Sequence, residues 1–183
     1  MTAFHGFIDE SIRPGRYRLT VVRVASADLA EAARSVRRSI PSGQYRLHLS
    51  SEGPARRRQI LRSLVELPIT ELVLETPYDG RSNDQLPRDR CLSALATCLP
   101  EWGISVLVLD TRGQERDRRD RARLGTDLTA GRLEDRVTYS HRGSRDELLI
   151  ALPDAIGWAI GAARPWPDLV RPLCDIRLVP EAG

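Results

Sequence analysis

Lysine is absent from this chain: all 28 basic residues are arginine, set against 25 acidic residues for a net charge of +3. Arginine's planar fork matches phosphate oxygens and stacks on bases, so an all-arginine surface suits nucleic acid. The plain alternative is a GC-rich code that writes arginine wherever a cation is wanted. Cysteine is scarce too. Cys91, Cys98 and Cys174 form no CxxC pair and are odd in number, which argues against a disulfide framework or a thiolate zinc site and for a reducing compartment. The longest aliphatic run, ISVLVL, is far too short to span a bilayer, and the opening MTAFHG has no basic stretch leading into an apolar one, so a cytoplasmic protein without membrane attachment is expected. No GxSxG, GxxxxGK or HExxH occurs, which removes the serine hydrolase, P-loop and zincin readings.

What is present fits one domain of 183 residues with 41% hydrophobic content, enough to bury a core unaided. Residues 4–9 and 16–25 read as strands joined by a turn at Pro14 and Gly15, the second with one covered face. A helix from Ser26, a short strand at YRLHLS, a helix opened by Pro54 and the strand ITELVLE follow. YDGRSNDQLPRD reads as a loop, Pro87 to Leu99 as a helix, and ISVLVLD as a strand apolar on both faces. TRGQERDRRDRARLG reads as a solvated helix, RVTYSH as a strand, and SRDELLIALPDAIGWAIGAA as a closing helical segment. The Pro-rich tail, residues 164–183, is expected to wrap the surface of the same domain. A hairpin followed by alternating helices and strands predicts a three-layer α/β domain with a mixed sheet.

The acids carry the chemistry. Asp9 ends the first strand and Asp110 ends ISVLVLD; as parallel neighbours these strands would hold the two carboxylates roughly 5 Å apart. Such a pair repels unless a cation compensates it. Asp154 follows Pro153 on a helix whose Gly157 and Gly161, four apart, allow close approach to the sheet. Oxygen donors without a His or Cys cluster favour magnesium or manganese, which could serve an in-line displacement at a phosphodiester. Glu10 and Glu75 are reserve ligands, although Glu10 is expected on the opposite face. Each acid also has an ordinary explanation: Asp154 suits a helix start, Asp110 a turn, Asp9 and Glu75 a strand reaching solvent. His48 reads as a satisfied imidazole, and His5 and His141 have no partner spacing. Arg112, Arg116 and Arg119 after Asp110, and Arg56, Arg57 and Arg58, are candidate phosphate clamps.

FIDES, the strand-end Asp of VLVLD and the closing ELLIALPDAIGWAIGAA together resemble a ribonuclease H-like family known as domain of unknown function 3800, over residues 5–162. The resemblance implies a ribonuclease H-like domain over residues 1–163. It also implies a metal-dependent nuclease, a hydrolase with Asp9, Asp110 and Asp154 as catalytic and metal-holding residues, acting on DNA or RNA. Two positions depart from the family pattern: Ile12 replaces a glycine, and Arg46 stands where relatives carry an acid. The alternative is therefore a catalytically inactive member that binds nucleic acid or a protein partner, or that assembles with copies of itself.

Overall fold

The computed structural model describes residues 3–81 and 83–181. Strands β1 (Phe4–Arg13) and β2 (Gly15–Ala25) form the hairpin, closed where Arg13 faces Arg16. Gly15 sits there at φ 78°, a conformation that favours glycine. Strand β3 (Ile69–Tyr78) runs antiparallel to β2, while β4 (Ile104–Asp110) runs parallel to β1 on its other side. Strands β5 (Thr138–Arg142) and β6 (Cys174–Leu178) close the edges, parallel to β4 and β3 respectively. The spatial order is β5-β4-β1-β2-β3-β6, a mixed six-stranded sheet.

Helices α1 (Leu29–Ser39), α2 (Pro54–Val65), α5 (Ala151–Gly161) and α6 (Trp166–Val170) cover one face of the sheet, and α3 (Gln85–Trp102) and α4 (Gln114–Ala130) cover the other. Strand alternation sorts every side chain between these two cores. Phe7 and Val108 belong to the α5 side, and Ile8, Leu107 and Leu109 to the α3/α4 side. The rule that buries these residues therefore aims Asp9 and Asp110 toward α5 and Glu10 toward α3 and α4.

Several elements differ from the sequence reading. The β2 strand is covered on both faces: Thr20, Val22 and Val24 are buried along with Tyr17, Leu19 and Val21, because α5 lies across it. YRLHLS is not a strand. Leu47 and Leu49 alternate inward because both plug the α5-side core, but the backbone ends in a 3-10 turn at Leu49–Ser51. Arg57 supplies the hydrogen bonds a ladder would have given, donating to the carbonyls of Leu49 (2.9 Å) and Ser50 (2.7 Å). The tail does more than wrap the surface, since β6 extends the sheet. The first helix starts at Leu29, and Asp154 is the fourth residue of α5 because a 3-10 turn at Leu148–Ile150 and two helical residues precede Pro153. Cys91 and Cys98 lie buried along α3, and all three cysteines are free. Among the described residues, no helix is long and apolar enough to cross a membrane.

Candidate active site

Asp9 and Asp110 each follow the last residues paired between β1 and β4, Ile8 and Leu109, so neighbouring strands carry them to one place on one face; Asp9 does not end its strand as the sequence reading expects, because pairing with β2 carries β1 on to Arg13. Asp154 reaches the same place from α5. Together with Arg46, His48 and Ser144 the three acids line a pocket of about 50 Å³. His48 Nδ1 faces Asp154 Oδ2 at 3.4 Å.

The helix that brings Asp154 approaches closely because Gly157 lacks a side chain: a Cβ there would lie 2.8 Å from Thr20 Oγ1 and 3.5 Å from Ser11 Cβ. At Gly161 it would lie 3.0 Å from Arg13 Cγ. Gly157→Leu is expected to lower stability by about 2 kcal/mol, overpacking outweighing leucine's better helix propensity. Thermal unfolding checks this; an unchanged melting temperature would mean that the contact with β2 does not hold α5 in place.

The electrostatics are those of crowded carboxylates. Burial pushes Asp9 well above the ordinary range, and the charges of Glu10, Asp154 and Asp110 push it further; the Glu10 backbone N–H, donating to Asp9 Oδ1 at 2.8 Å, opposes this. Burial also raises Asp110 to about 6, with Glu10 and Asp154 adding to it and Arg46 opposing. Asp154 is raised by burial as well, against the pull of His48 and Arg46. Among the described residues neither Asp9 nor Asp110 makes an ion pair. Among the described residues the pocket thus holds two acids without an ion pair and a third shared with an imidazole. No group of three His, Cys, Asp or Glu side chains among the described residues is placed to hold a metal ion in this arrangement.

The reserve ligands lie elsewhere. Glu10 binds Arg88 Nη1 (2.8 Å) and Arg112 Nε (2.7 Å) on the opposite face, and Glu75 is held by Arg18 Nε at 2.6 Å across β2 and β3. Both carboxylates are compensated where they stand. The expected clamps divide in the same way. Arg112 is only 4% exposed and is locked between Glu10 and Asp84; Arg116 hangs over Asp84 at 3.6 Å, and Arg119 pairs with Glu115 at 3.2 Å. They line a cavity of about 670 Å³ near the starts of α3 and α4, away from the acid pocket. Arg56 donates to the Ser39 carbonyl and to Gln59, Arg57 braces the 3-10 turn and stacks on Trp158, and Arg58 is exposed.

Sequence reasoning missed two features. His48 gave a signal too general to place beside Asp154. The second is a buried polar network on the α3/α4 side, in which Arg88 binds Asp120, Glu10 and Tyr17, and His141 Nε2 lies 3.2 Å from Asp120 Oδ2. Burial alone would raise Asp120, but the hydrogen bonds from His141 and Arg88 outweigh it and hold the carboxyl at about 2. His141 does have a partner, from α4, which no spacing along the chain could reveal. Searches against protein-family models and curated proteins find no match for this chain.

Proposed function

We propose that the chain is a ribonuclease H-like domain that hydrolyses phosphodiesters of nucleic acid with a divalent cation at Asp9, Asp110 and Asp154. The observation that carries this reading is the convergence of three carboxylates from β1, β4 and α5 on one pocket, all raised and two without an ionic partner. The strand order supports the fold: three antiparallel strands, β1 to β3, continued by β4 and β5 parallel to β1. In kind, the donors fit magnesium or manganese, being hard oxygens whose mutual repulsion a dication relieves. When bound, such an ion supplies an activated water and charge for the leaving oxygen.

The chain's own residues would do the rest. Asp9 and Asp110, carried by neighbouring strands, would each offer a carboxylate to the ion. Asp154 is oriented by His48, and Arg46 at the rim offers a guanidinium to a phosphate entering the pocket.

The second reading, a binding module without catalysis, is favoured by Arg46 in place of an acid and by the spacing of the three carboxylates. Cleavage separates the two. Labelled single-stranded and duplex DNA and RNA incubated with magnesium or manganese should be cut by the wild type, with at least about a 100-fold loss in Asp9→Asn and Asp154→Asn, the scale of losing a group that acts on the reacting atoms. Uncut substrate under all of these conditions would favour the binding module.

A further inference from the structure

Next to the acid pocket lies a second cavity of about 410 Å³, formed where the loop after α1 meets the loop after β5. Its lining includes Arg37, Tyr45, Ser144, Arg145 and Asp146. Ser144 lines both cavities, and Tyr45 is followed in the chain by Arg46 of the acid pocket, so the two are contiguous. Tyr45 is a large side chain left 51% exposed on a chain with few aromatics. The guanidinium groups of Arg145 and Arg46 lie over its ring, 4.5 and 5.5 Å from the centroid.

These cations differ from those near the starts of α3 and α4. Arg112, Arg116 and Arg119 are neutralised by Glu10, Asp84 and Glu115. Among the described residues, Arg37, Arg46 and Arg145 make no ion pair, and Asp146 is the single acid in the cavity lining. An exposed ring stacked with guanidinium groups that make no ion pair has two complementary properties: aromatic and guanidinium planes on which a base can stack, and positive charge for the phosphates on either side of it.

We propose that this cavity is a subsite for single-stranded nucleic acid, in which an unpaired base stacks on Tyr45 while Arg37 and Arg145 hold the flanking phosphates and lead the strand toward Asp9 and Asp110. Stacking requires a base free of its own neighbours, which a duplex does not offer, so the subsite selects single strands by the shape of the contact. The volume falls within the range of ordinary ligand sites. The direction of the strand rests on the phosphodiesterase reading above; the binding itself does not.

The test is fluorescence anisotropy with the full chain in EDTA, using a labelled oligothymidylate, a duplex of the same length and an oligoglutamate competitor at several salt concentrations. The single strand should bind more tightly than the duplex. Tyr45→Ala should weaken it about 5- to 150-fold, and Tyr45→Phe should restore it, since stacking needs the ring and not the hydroxyl. Arg145→Gln should flatten the log–log salt slope by about 0.7. Thermal unfolding of each variant verifies that the fold is intact, as expected for exposed positions. Equal affinity of Tyr45→Ala and wild type, equal affinity for the duplex, or displacement of the strand by oligoglutamate at matched charge would overturn the proposal. Because the chelator removes any cation, a failure to cleave would leave this result standing, and a failure here would leave the acid pocket untouched.

Discussion

Arg88→Met is expected to cost the protein about 3–5 kcal/mol, the range for removing one partner of a buried ionic network, and to lower the melting temperature on the order of 10 °C. Arg88 is 1% exposed and spends its guanidinium on Asp120 Oδ1 and Oδ2 (2.8 and 2.7 Å), Glu10 Oε2 (2.8 Å) and Tyr17 Oη (3.2 Å). Without it, Asp120 keeps, among the described residues, only the His141 ring nitrogen as a partner at a fully buried site. The pH dependence gives an independent check. Asp120 is depressed to about 2 in the folded protein from its ordinary 3.8, so its contribution is complete above 3.8 and fades as pH falls through 2. In Arg88→Met that contribution should shrink across the same window. The double variant Arg88→Met, Asp120→Leu should recover much of the loss, because it is the stranded charge that is costly. Denaturant unfolding measures all three; a loss under 1 kcal/mol in the single variant would mean that the network is not holding α3 to α4.

Glu71→Met should act in the opposite direction. Glu71 lies on β3 between Val22 of β2 and Cys174 of β6, is fully buried, and among the described residues no other residue hydrogen-bonds either carboxylate oxygen. Burial pushes it from 4.5 to about 7, opposed only by its own backbone N–H. An acid whose folded pKa is raised binds more protons folded than unfolded, so stability falls as pH climbs from 4.5 toward 7 and stays low above it. The displacement corresponds to on the order of 3 kcal/mol. Methionine, of similar shape and without charge, should remove that cost: the variant gains about this much at pH 8, and the pH-dependent part of the gain disappears near pH 4. An identical difference at pH 4 and pH 8 would show that Glu71 does not titrate with folding.

These two buried groups mark the limit of what the chain reveals by itself. The hairpin at Pro14 and Gly15, the doubly apolar β4 and the placement of Asp110 at a strand end were legible, because turn chemistry and alternation are local properties; Asp9 was not placed correctly, since β1 continues past it to Arg13 in the hairpin with β2. Glu10's orientation followed from the same alternation. The approach of α5 was legible in the spacing of Gly157 and Gly161. By contrast, Leu47 and Leu49 alternate as a strand does, yet they serve packing without a ladder, because Arg57 satisfies the carbonyls. Strand β6 has no fully buried residue, Cys174, Ile176 and Arg177 being half-buried, and gives no clear pattern, as expected at a sheet edge. Arg88, Asp120 and His141 come from α3, α4 and β5, and their meeting is a product of tertiary structure. The dense charge after Asp110 read as solvent-facing, which is true of Arg118 and Glu115 but not of Asp117 or Asp120. The same limit separates the arginines: Arg112 is a buried structural cation, whereas Arg145, which no motif singled out, is free to meet a ligand.

The central claim is that Asp9, Asp110 and Asp154 form a cation site, and thermal unfolding across a magnesium and manganese titration at pH 8 tests it most directly. A ligand that binds only the folded protein stabilises it by mass action, so the wild type should rise steadily in melting temperature with millimolar cation, gaining about 2.7 kcal/mol of stability at 100 times the dissociation constant. Asp9→Asn should show no rise while unfolding at or above the temperature of the cation-free wild type, since one repelling charge has gone. A wild type indifferent to either cation, or an Asp9→Asn variant that responds equally, would contradict the assignment and leave the pocket as a cluster of crowded carboxyl groups without a cation.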